Sequence, residues 1–275
     1  MPWLTGWSYR KKITIDQTKV DADLTDFPVL ATLTAANFDF SKARTDGFDI
    51  RFTQSNGETL LKYGRERHDD TNDLAEYWVK VPSVSGTVDT DFYIYYGKAD
   101  AVDGADPTNV WDTNFKAVYL LKDLTTSTVA DSTVNDYDAT KKGVNEPIET
   151  DGKIAKAQNF DGTDDYIQKT AFPTFGAGDW EVEAWFKPDV VNVLKTILSC
   201  WEADGFTIYM DTDSVLHANG NGFGGIINGT TTLVIGTYYH IALRRLAGNV
   251  YLYLNGAQEG TTTISYTYTT TVWSM

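Results

Sequence analysis

Nowhere in these 275 residues does an apolar period of 3.6 persist beyond a turn or two, and only residues 34–40 and 190–194 could make even that much helix. What recurs instead is a short run rich in Val, Ile, Thr, Tyr and Phe, closed by Asp, Asn, Gly or Pro. Side chains of that kind suit a pleated, half-buried surface, and the closing residues suit turns. The chain is therefore expected to be all-β.

The runs fall at residues 10–15, 27–34, 49–53, 60–67, 77–81 and 92–96, then at 117–121, 157–160, 166–168, 180–186, 196–200, 205–210, 239–244 and 250–254. Between the two sets, residues 97–112 are mostly small and acidic, with Pro107 among them, and such residues fill no core. A boundary is expected there, giving a β-sandwich over residues 1–112 and a larger one over 113–275. Ala247-Gly248 and Asn255-Gly256 are the turn dipeptides of two tight hairpins in the second.

With 23 Lys and Arg against 38 Asp and Glu, the net charge is −15, and both halves are acidic. Such a field repels phosphate backbones and anionic headgroups, so nucleic acid is not an expected partner. No run of about 18 apolar residues occurs, so no membrane-inserted helix is expected either. Cys200 is the single cysteine, which excludes an intrachain disulfide and reads as a small core residue. The opening residues Met1-Pro2-Trp3-Leu4 lack the pattern of a secretory leader. The expected location is a virion surface, or the cell exterior with a leader outside this chain.

Six motifs in order, Trp7-Ser8-Tyr9-Arg10-Lys11-Lys12-Ile13, Asp26-Phe27-Pro28-Val29-Leu30, Asp46-Gly47-Phe48-Asp49-Ile50-Arg51-Phe52, Tyr77-Trp78-Val79, Tyr93-Ile94-Tyr95-Tyr96-Gly97 and Val110-Trp111-Asp112, give the first half a family resemblance. It resembles a domain family of unassigned function, found in bacterial, archaeal and phage surface proteins ahead of laminin-G-like domains. The second half is similar to the laminin-G-like, concanavalin-type jelly rolls. That likeness rests on Val118-Tyr119-Leu120-Leu121, Phe160-Asp161-Gly162-Thr163-Asp164-Asp165-Tyr166-Ile167, Trp180-Glu181-Val182-Glu183-Ala184-Trp185 and Leu252-Tyr253-Leu254-Asn255-Gly256. The resemblance implies two jelly-roll sandwiches in tandem and binding of glycans, calcium or protein partners. Such domains end in a strand like Asp-Glu-Val-Arg-Ile, which residues 271–275 do not supply, so the expectation is either a fragment of a longer polypeptide or an open sheet edge completed by a neighbouring subunit.

Each candidate site has a bland counterpart. Asp131, Asn135, Asp136 and Asp138, facing Asp161, offer oxygen ligands for calcium, while the same side chains could simply bond the backbone of tight turns. Trp201, Tyr209, His217, Asn219, Asn221 and Phe223 combine aromatic and amide groups around a Gly/Asn-rich run, as glycan recognition requires, while that run could equally be a bare connection. Glu181 and Glu183 share one strand face, but the third acid of a glucanase pattern is missing, and they read as solvated acids. His68, His217 and His240 lack a nucleophile elbow, Asp69, Asp70, Asn72 and Asp73 lack the glycine and distal Glu of an EF-hand, and Asp211 and Asp213 read as a turn. The expected function is a non-catalytic adhesive protein, a tail, fibre or capsid decoration that binds host glycans or neighbouring subunits. A carbohydrate-binding part of a larger glycan-processing protein is the alternative, and a stand-alone glycosidase comes last.

Overall fold

The computed structural model describes residues 3–124, 126–144, 146–201 and 204–275. Among them regular structure is almost all β, with 3-10 turns at Gln17–Lys19, Phe40–Lys42 and Pro107–Asn109. Among the described residues no helix is long and apolar enough to cross a membrane. The chain makes two compact units, Met1–Leu120 with Ala130–Asp136, and Leu121–Val129 with Tyr137–Met275.

In the first unit the strands are β1 (Tyr9–Ile15), β2 (Leu24–Thr34), β3 (Arg51–Gln54), β4 (Tyr63–Asp69), β5 (Leu74–Val84) and β6 (Thr90–Tyr96). They form two antiparallel sheets, ordered β1-β6-β3 and β2-β5-β4. Alternation decides which face is buried: Ala75, Tyr77, Val79 and Val81 of β5 all lie inward, against Phe52 of β3 and Phe92 and Ile94 of β6. The Phe52 ring lies 5.3 Å from Tyr63, 5.5 Å from Tyr77 and 6.3 Å from Phe92. Full burial of each such side chain is worth about 1.5–3 kcal/mol. Pro28, which has no N–H to donate, is tolerated because β2 is an edge strand.

Residues 97–112, small and acidic by composition, belong to this unit, and the compact division falls after Leu120. Cations of β3 and β4 and of the loops before them hold the segment. Arg44 Nη1 donates to the carbonyls of Ala99 (2.7 Å) and Ala101 (3.2 Å), and Arg51 Nη2 donates to that of Val102 (2.7 Å). Arg65 grips Asp103 bidentately at 3.0 and 2.6 Å, and Lys62 reaches Asp106 at 2.6 Å. Behind them Val110 and Trp111 are buried, the Trp111 ring 5.4 Å from Trp78. Apart from Ala101, Val110 and Trp111, which are buried, the segment is thus fixed through its carbonyls and carboxylates, which composition does not reveal.

The second unit contains β7 (Thr128–Val129), β8 (Ala139–Lys142), β9 (Ile148–Asp151), β10 (Lys156–Asn159), β11 (Tyr166–Lys169), β12 (Trp180–Phe186) and β13 (Lys195–Ser199). It continues through β14 (Phe206–Met210), β15 (Leu216–Gly220), β16 (Ile227–Asn228), β17 (Tyr239–Leu246), β18 (Asn249–Leu254), β19 (Ala257–Thr263) and β20 (Trp273–Ser274). An eight-stranded sheet, β16-β15-β14-β13-β20-β11-β8-β7, packs on a four-stranded one, β12-β17-β18-β19, while β9 and β10 form a hairpin. The core between them is built from Ile167, Phe206, Ile208 and Leu216 on one side and Ile241, Leu243, Val250 and Leu252 on the other. Trp180 stacks on Phe206 across it, with ring centroids 4.6 Å apart. The chain is an all-β pair of sandwiches.

Two local features differ from the sequence expectation. The last strand, β20, does not leave an open edge where it lies: Trp273 pairs with Lys169, and Ser274 pairs with Gln168 on one side and Ser199 on the other. The edges of the large sheet are β7 and β16 instead. The run at residues 218–225 is only partly a connection, since β15 takes it as far as Gly220. Both hairpin turns are as the dipeptides require, Ala247-Gly248 (φ 49° and 79°) and Asn255-Gly256 (51° and 81°) all being left-handed.

Candidate functional site

On β14 and β15 the inward residues Phe206, Ile208, Leu216 and Ala218 are fully buried, so Thr207, Tyr209, His217 and Asn219 must face outward. Cross-strand partners share a face. The register therefore extends Thr207 and Asn219 into one row across seven strands: Thr128, Thr140, Gln168, Ser274, Ser199, Thr207 and Asn219. At ~4.8 Å between strands the row is roughly 29 Å long. Every member is uncharged and carries a hydroxyl or carboxamide, a group able to donate and to accept. Among the described residues, the side chains of Thr128, Thr140, Gln168, Ser199 and Ser274 make no hydrogen bond within the chain, and each is exposed or half-exposed.

Two residues along the strands, to the same side, runs a second row in which Lys142 pairs with Tyr166 and, farther across, Thr196, Tyr209, His217 and Asn228 are neighbours. Tyr166 and Tyr209 thus flank the polar row three strand spacings apart, about 14 Å. Tyr166 is 40% exposed. His217 lies on the outer face yet is buried, because its neighbours cover it: Tyr209 stacks on it at 5.2 Å, Nδ1 meets Asn228 Oδ1 at 2.8 Å and Nε2 meets Asp213 Oδ1 at 3.0 Å. The His217 contact is the main cause holding the Asp213 carboxyl below its ordinary range. Both ring nitrogens of His217 are engaged, so its part is to fix the Tyr209 ring.

The remaining residues expected to bind a glycan are placed elsewhere. Trp201 is exposed in the β13–β14 connection. Asn221 closes that end of the sheet, its Oδ1 accepting the Gly205 N–H at 3.0 Å. A β-carbon at Gly205 would stand 1.6 Å from the Cys200 carbonyl oxygen, so only glycine fits there. Phe223 is half-buried and bridges to Ile264. Asn219 Oδ1 accepts its neighbour Gly220's N–H at 2.8 Å. Of the six, Tyr209, His217 and Asn219 come together. Thr128, Thr140, Tyr166, Gln168, Ser199, Thr207 and Ser274 carry no local signal, since only the register of distant strands unites them.

The residues expected to hold calcium are divided. Asp131 is buried and uses its carboxylate on its own loop, Oδ1 accepting the Val118 and Thr133 N–H groups at 2.9 Å and Oδ2 the Thr133 hydroxyl at 2.8 Å. Asn135 donates to the carbonyls of Phe115 and Lys116, and Asp136 turns the chain at φ 59°. These three lie in the first unit, whereas Asp138 and Asp161 lie in the second. Asp161 joins Asp164 and Asp165, with one oxygen of each within 4.8 Å of the others. The Thr163 and Asp164 N–H groups lower the Asp161 pKa, and Asp165 Oδ1 is buried without a partner.

Glu181 and Glu183 lie exposed on the far face of the four-stranded sheet, away from both groups. Cys200 is buried, and burial pushes its thiol pKa upward, away from reactivity.

Residues 46–140 match the family described as a domain of unknown function (DUF2341), and residues 161–274 match the concanavalin A-like lectin/glucanases superfamily. No curated protein matches the chain. Among solved structures, domain 4 of a GH43 extracellular arabinanase from Geobacillus stearothermophilus, in complex with arabinotriose, is 20% identical with a TM-score of 0.42, over 53% of this chain and 76% of that one. An S-layer domain-containing protein from Clostridium thermocellum is 20% identical, TM-score 0.34, over 55% and 73%. The carbohydrate binding module CBM66 from Bacillus subtilis is 14% identical, TM-score 0.33, over 50% and 86%. The chain thus pairs a segment that matches the DUF2341 family with a following segment that matches the concanavalin A-like lectin/glucanases superfamily.

Proposed function

We propose that this chain is a non-catalytic glycan-binding surface protein, and that the second unit binds a neutral sugar chain along the outer face of its eight-stranded sheet. The observation that carries this reading is the row from Thr128 to Asn219, uncharged throughout, in which, among the described residues, the side chains of Thr128, Thr140, Gln168, Ser274 and Ser199 make no bond within the chain while Thr207 donates to the Leu198 carbonyl and Asn219 accepts from Gly220. Polyols present the same paired chemistry, and Tyr166 and Tyr209 offer ring faces beside it for the apolar side of a sugar. The superfamily match includes lectins, which supports the same reading. Glycoside hydrolysis needs two carboxyl groups flanking the scissile bond. The row has none, and the Asp213 beside it is tied to His217. That supports binding without catalysis.

A glycan array probed with the intact chain tests the proposal. Binding to a neutral oligosaccharide, weakened about tenfold or more by Gln168→Ala with Thr207→Val, is expected, since each lost direct hydrogen bond is worth about 1 kcal/mol. Unchanged binding in that double variant would overturn it.

Calcium forms a second part of the proposal, and Asp161, Asp164 and Asp165 are the residues that would hold it, the buried Asp165 Oδ1 being suited to a cation. A melting temperature unmoved by chelator counts against it. A third part is the setting: a virion tail, fibre or capsid decoration that touches neighbouring subunits through sheet edges such as β12. Absence of the chain from purified particles would remove that part and leave glycan binding standing.

A further inference from the structure

The outer face of the four-stranded sheet is built differently from the polar row. Because Val182, Leu243, Leu252 and their neighbours face the core, Glu181, Glu183 and Trp185 of β12 face outward. Register then sets Glu183, Ala242, Tyr253 and Gln258 in one row, Glu181, Arg244, Tyr251 and Thr261 in the next, and Trp185 opposite His240. Trp185 is 42% exposed, with His240 at 5.2 Å and Lys153 Nζ 5.6 Å from its ring. The Tyr251 and Tyr253 rings lie 6.4 Å apart and only 31° from parallel, so the two present a broken but continuous platform.

The carboxylates on this face already have nitrogen partners. His240 Nε2 lies 3.1 Å from Glu183 Oε2, and Arg244 Nε lies 3.8 Å from Glu181 Oε2. A charged ligand would have to break those pairs. A neutral ligand with an apolar face and a hydroxyl rim would not: it could lie on Trp185 and Tyr253 while its hydroxyls donate to the carboxylate oxygens and accept from the guanidinium. A protein partner would need a larger apolar centre than two tyrosines and one tryptophan in a charged frame.

We infer that this face is a second, independent sugar-binding surface, with Trp185 and Tyr253 as the stacking rings and Glu181 and Glu183 as hydroxyl acceptors. It stands on its own residues and lies on the opposite side of the sandwich from the Thr128–Asn219 row. Each copy would therefore hold two sugar chains at once, which raises avidity on a glycan-dense surface without any oligomer.

The test is a titration of the intact chain with cellotetraose, xylotetraose and chitotetraose, followed by the Trp185 indole N–H signal in an NMR spectrum and assigned with Trp185→Phe. A shift of that signal by at least one of them, with affinity falling about tenfold in Tyr253→Ala and surviving in Tyr253→Phe, is expected from the loss of one stacking ring. The Gln168→Ala, Thr207→Val double variant should leave this shift intact. Response of the polar row alone, with the Trp185 signal unmoved, would overturn the second surface and spare the first. Silence of both faces toward all three sugars, or perturbation of Trp185 only by a polypeptide, would overturn it as well.

Discussion

Asp204 and Thr269, 65 residues apart, are joined by three hydrogen bonds: the Thr269 N–H reaches Oδ1 at 3.1 Å and Oδ2 at 3.2 Å, and its hydroxyl reaches Oδ2 at 2.7 Å. The Thr270 N–H adds a fourth to Oδ1 at 3.0 Å. The carboxylate is 5% exposed. Burial raises its pKa, but the Thr269 hydroxyl and the two N–H groups outweigh that and hold it below the ordinary range. Asp204→Ala would leave the buried Thr270 N–H without its partner and release Thr269 to solvent, and is expected to destabilise the second unit by about 1–3 kcal/mol. Asp204→Asn, which keeps one acceptor oxygen, should cost less. Urea unfolding of both variants checks the order.

The Arg65–Asp103 pair predicts a change in accessibility. With the Arg65 side chain 19% exposed and both nitrogens engaged, Arg65→Ala removes a fork that no other residue replaces at Asp103. Cleavage after Lys98 by trypsin at low dose should become several-fold faster, at a global cost of roughly 1–2 kcal/mol. Equal digestion of variant and parent would show that Arg44, Arg51 and Lys62 suffice.

Acid stability follows from Asp46. The Arg44 guanidinium, bonded to it at 2.6 Å and 3.0 Å, lowers its pKa to about 2. A carboxylate depressed in the folded state stabilises above its unfolded value, near 4, and loses that contribution as pH falls toward 2. Asp46→Asn should therefore flatten the stability curve of the first unit between about pH 4 and 2 and leave its slope above pH 5 unchanged. Solvent screening keeps the effect small, since the side chain is 39% exposed. Thermal melts across that range measure it.

Much of the fold is legible in the sequence because strand alternation and turn dipeptides are local. Tyr77 and Val79, two apart, go inward together, and Ala247-Gly248 closes the hairpin its composition requires. The polar row is not legible. Thr140 and Asn219 belong to one surface only because five registers between them align, and no residue records which neighbour it will meet. Asp131 illustrates the opposite difficulty, since a turn cap and a metal ligand use the same side chain, and its bonds to Val118 and Thr133 become visible only in the fold. How residues 97–112 are held is not legible for a third reason: arginines far upstream in sequence bind their carbonyls.

The place of Trp273–Ser274 has a consequence for timing. Among the described residues, strands β7, β8 and β11 on one side and β13 to β16 on the other are joined in the large sheet only through these two residues. More than one hundred residues separate Lys169 from its partner Trp273, so the loop must close before the sheet can. On the ribosome the first unit has all its strands early, whereas the second stays in two halves until residue 273 has cleared the exit tunnel. The halves expose the edges of β11 and β13 throughout that interval, which makes the newborn chain, rather than the finished sandwich, the species most prone to wrong pairing.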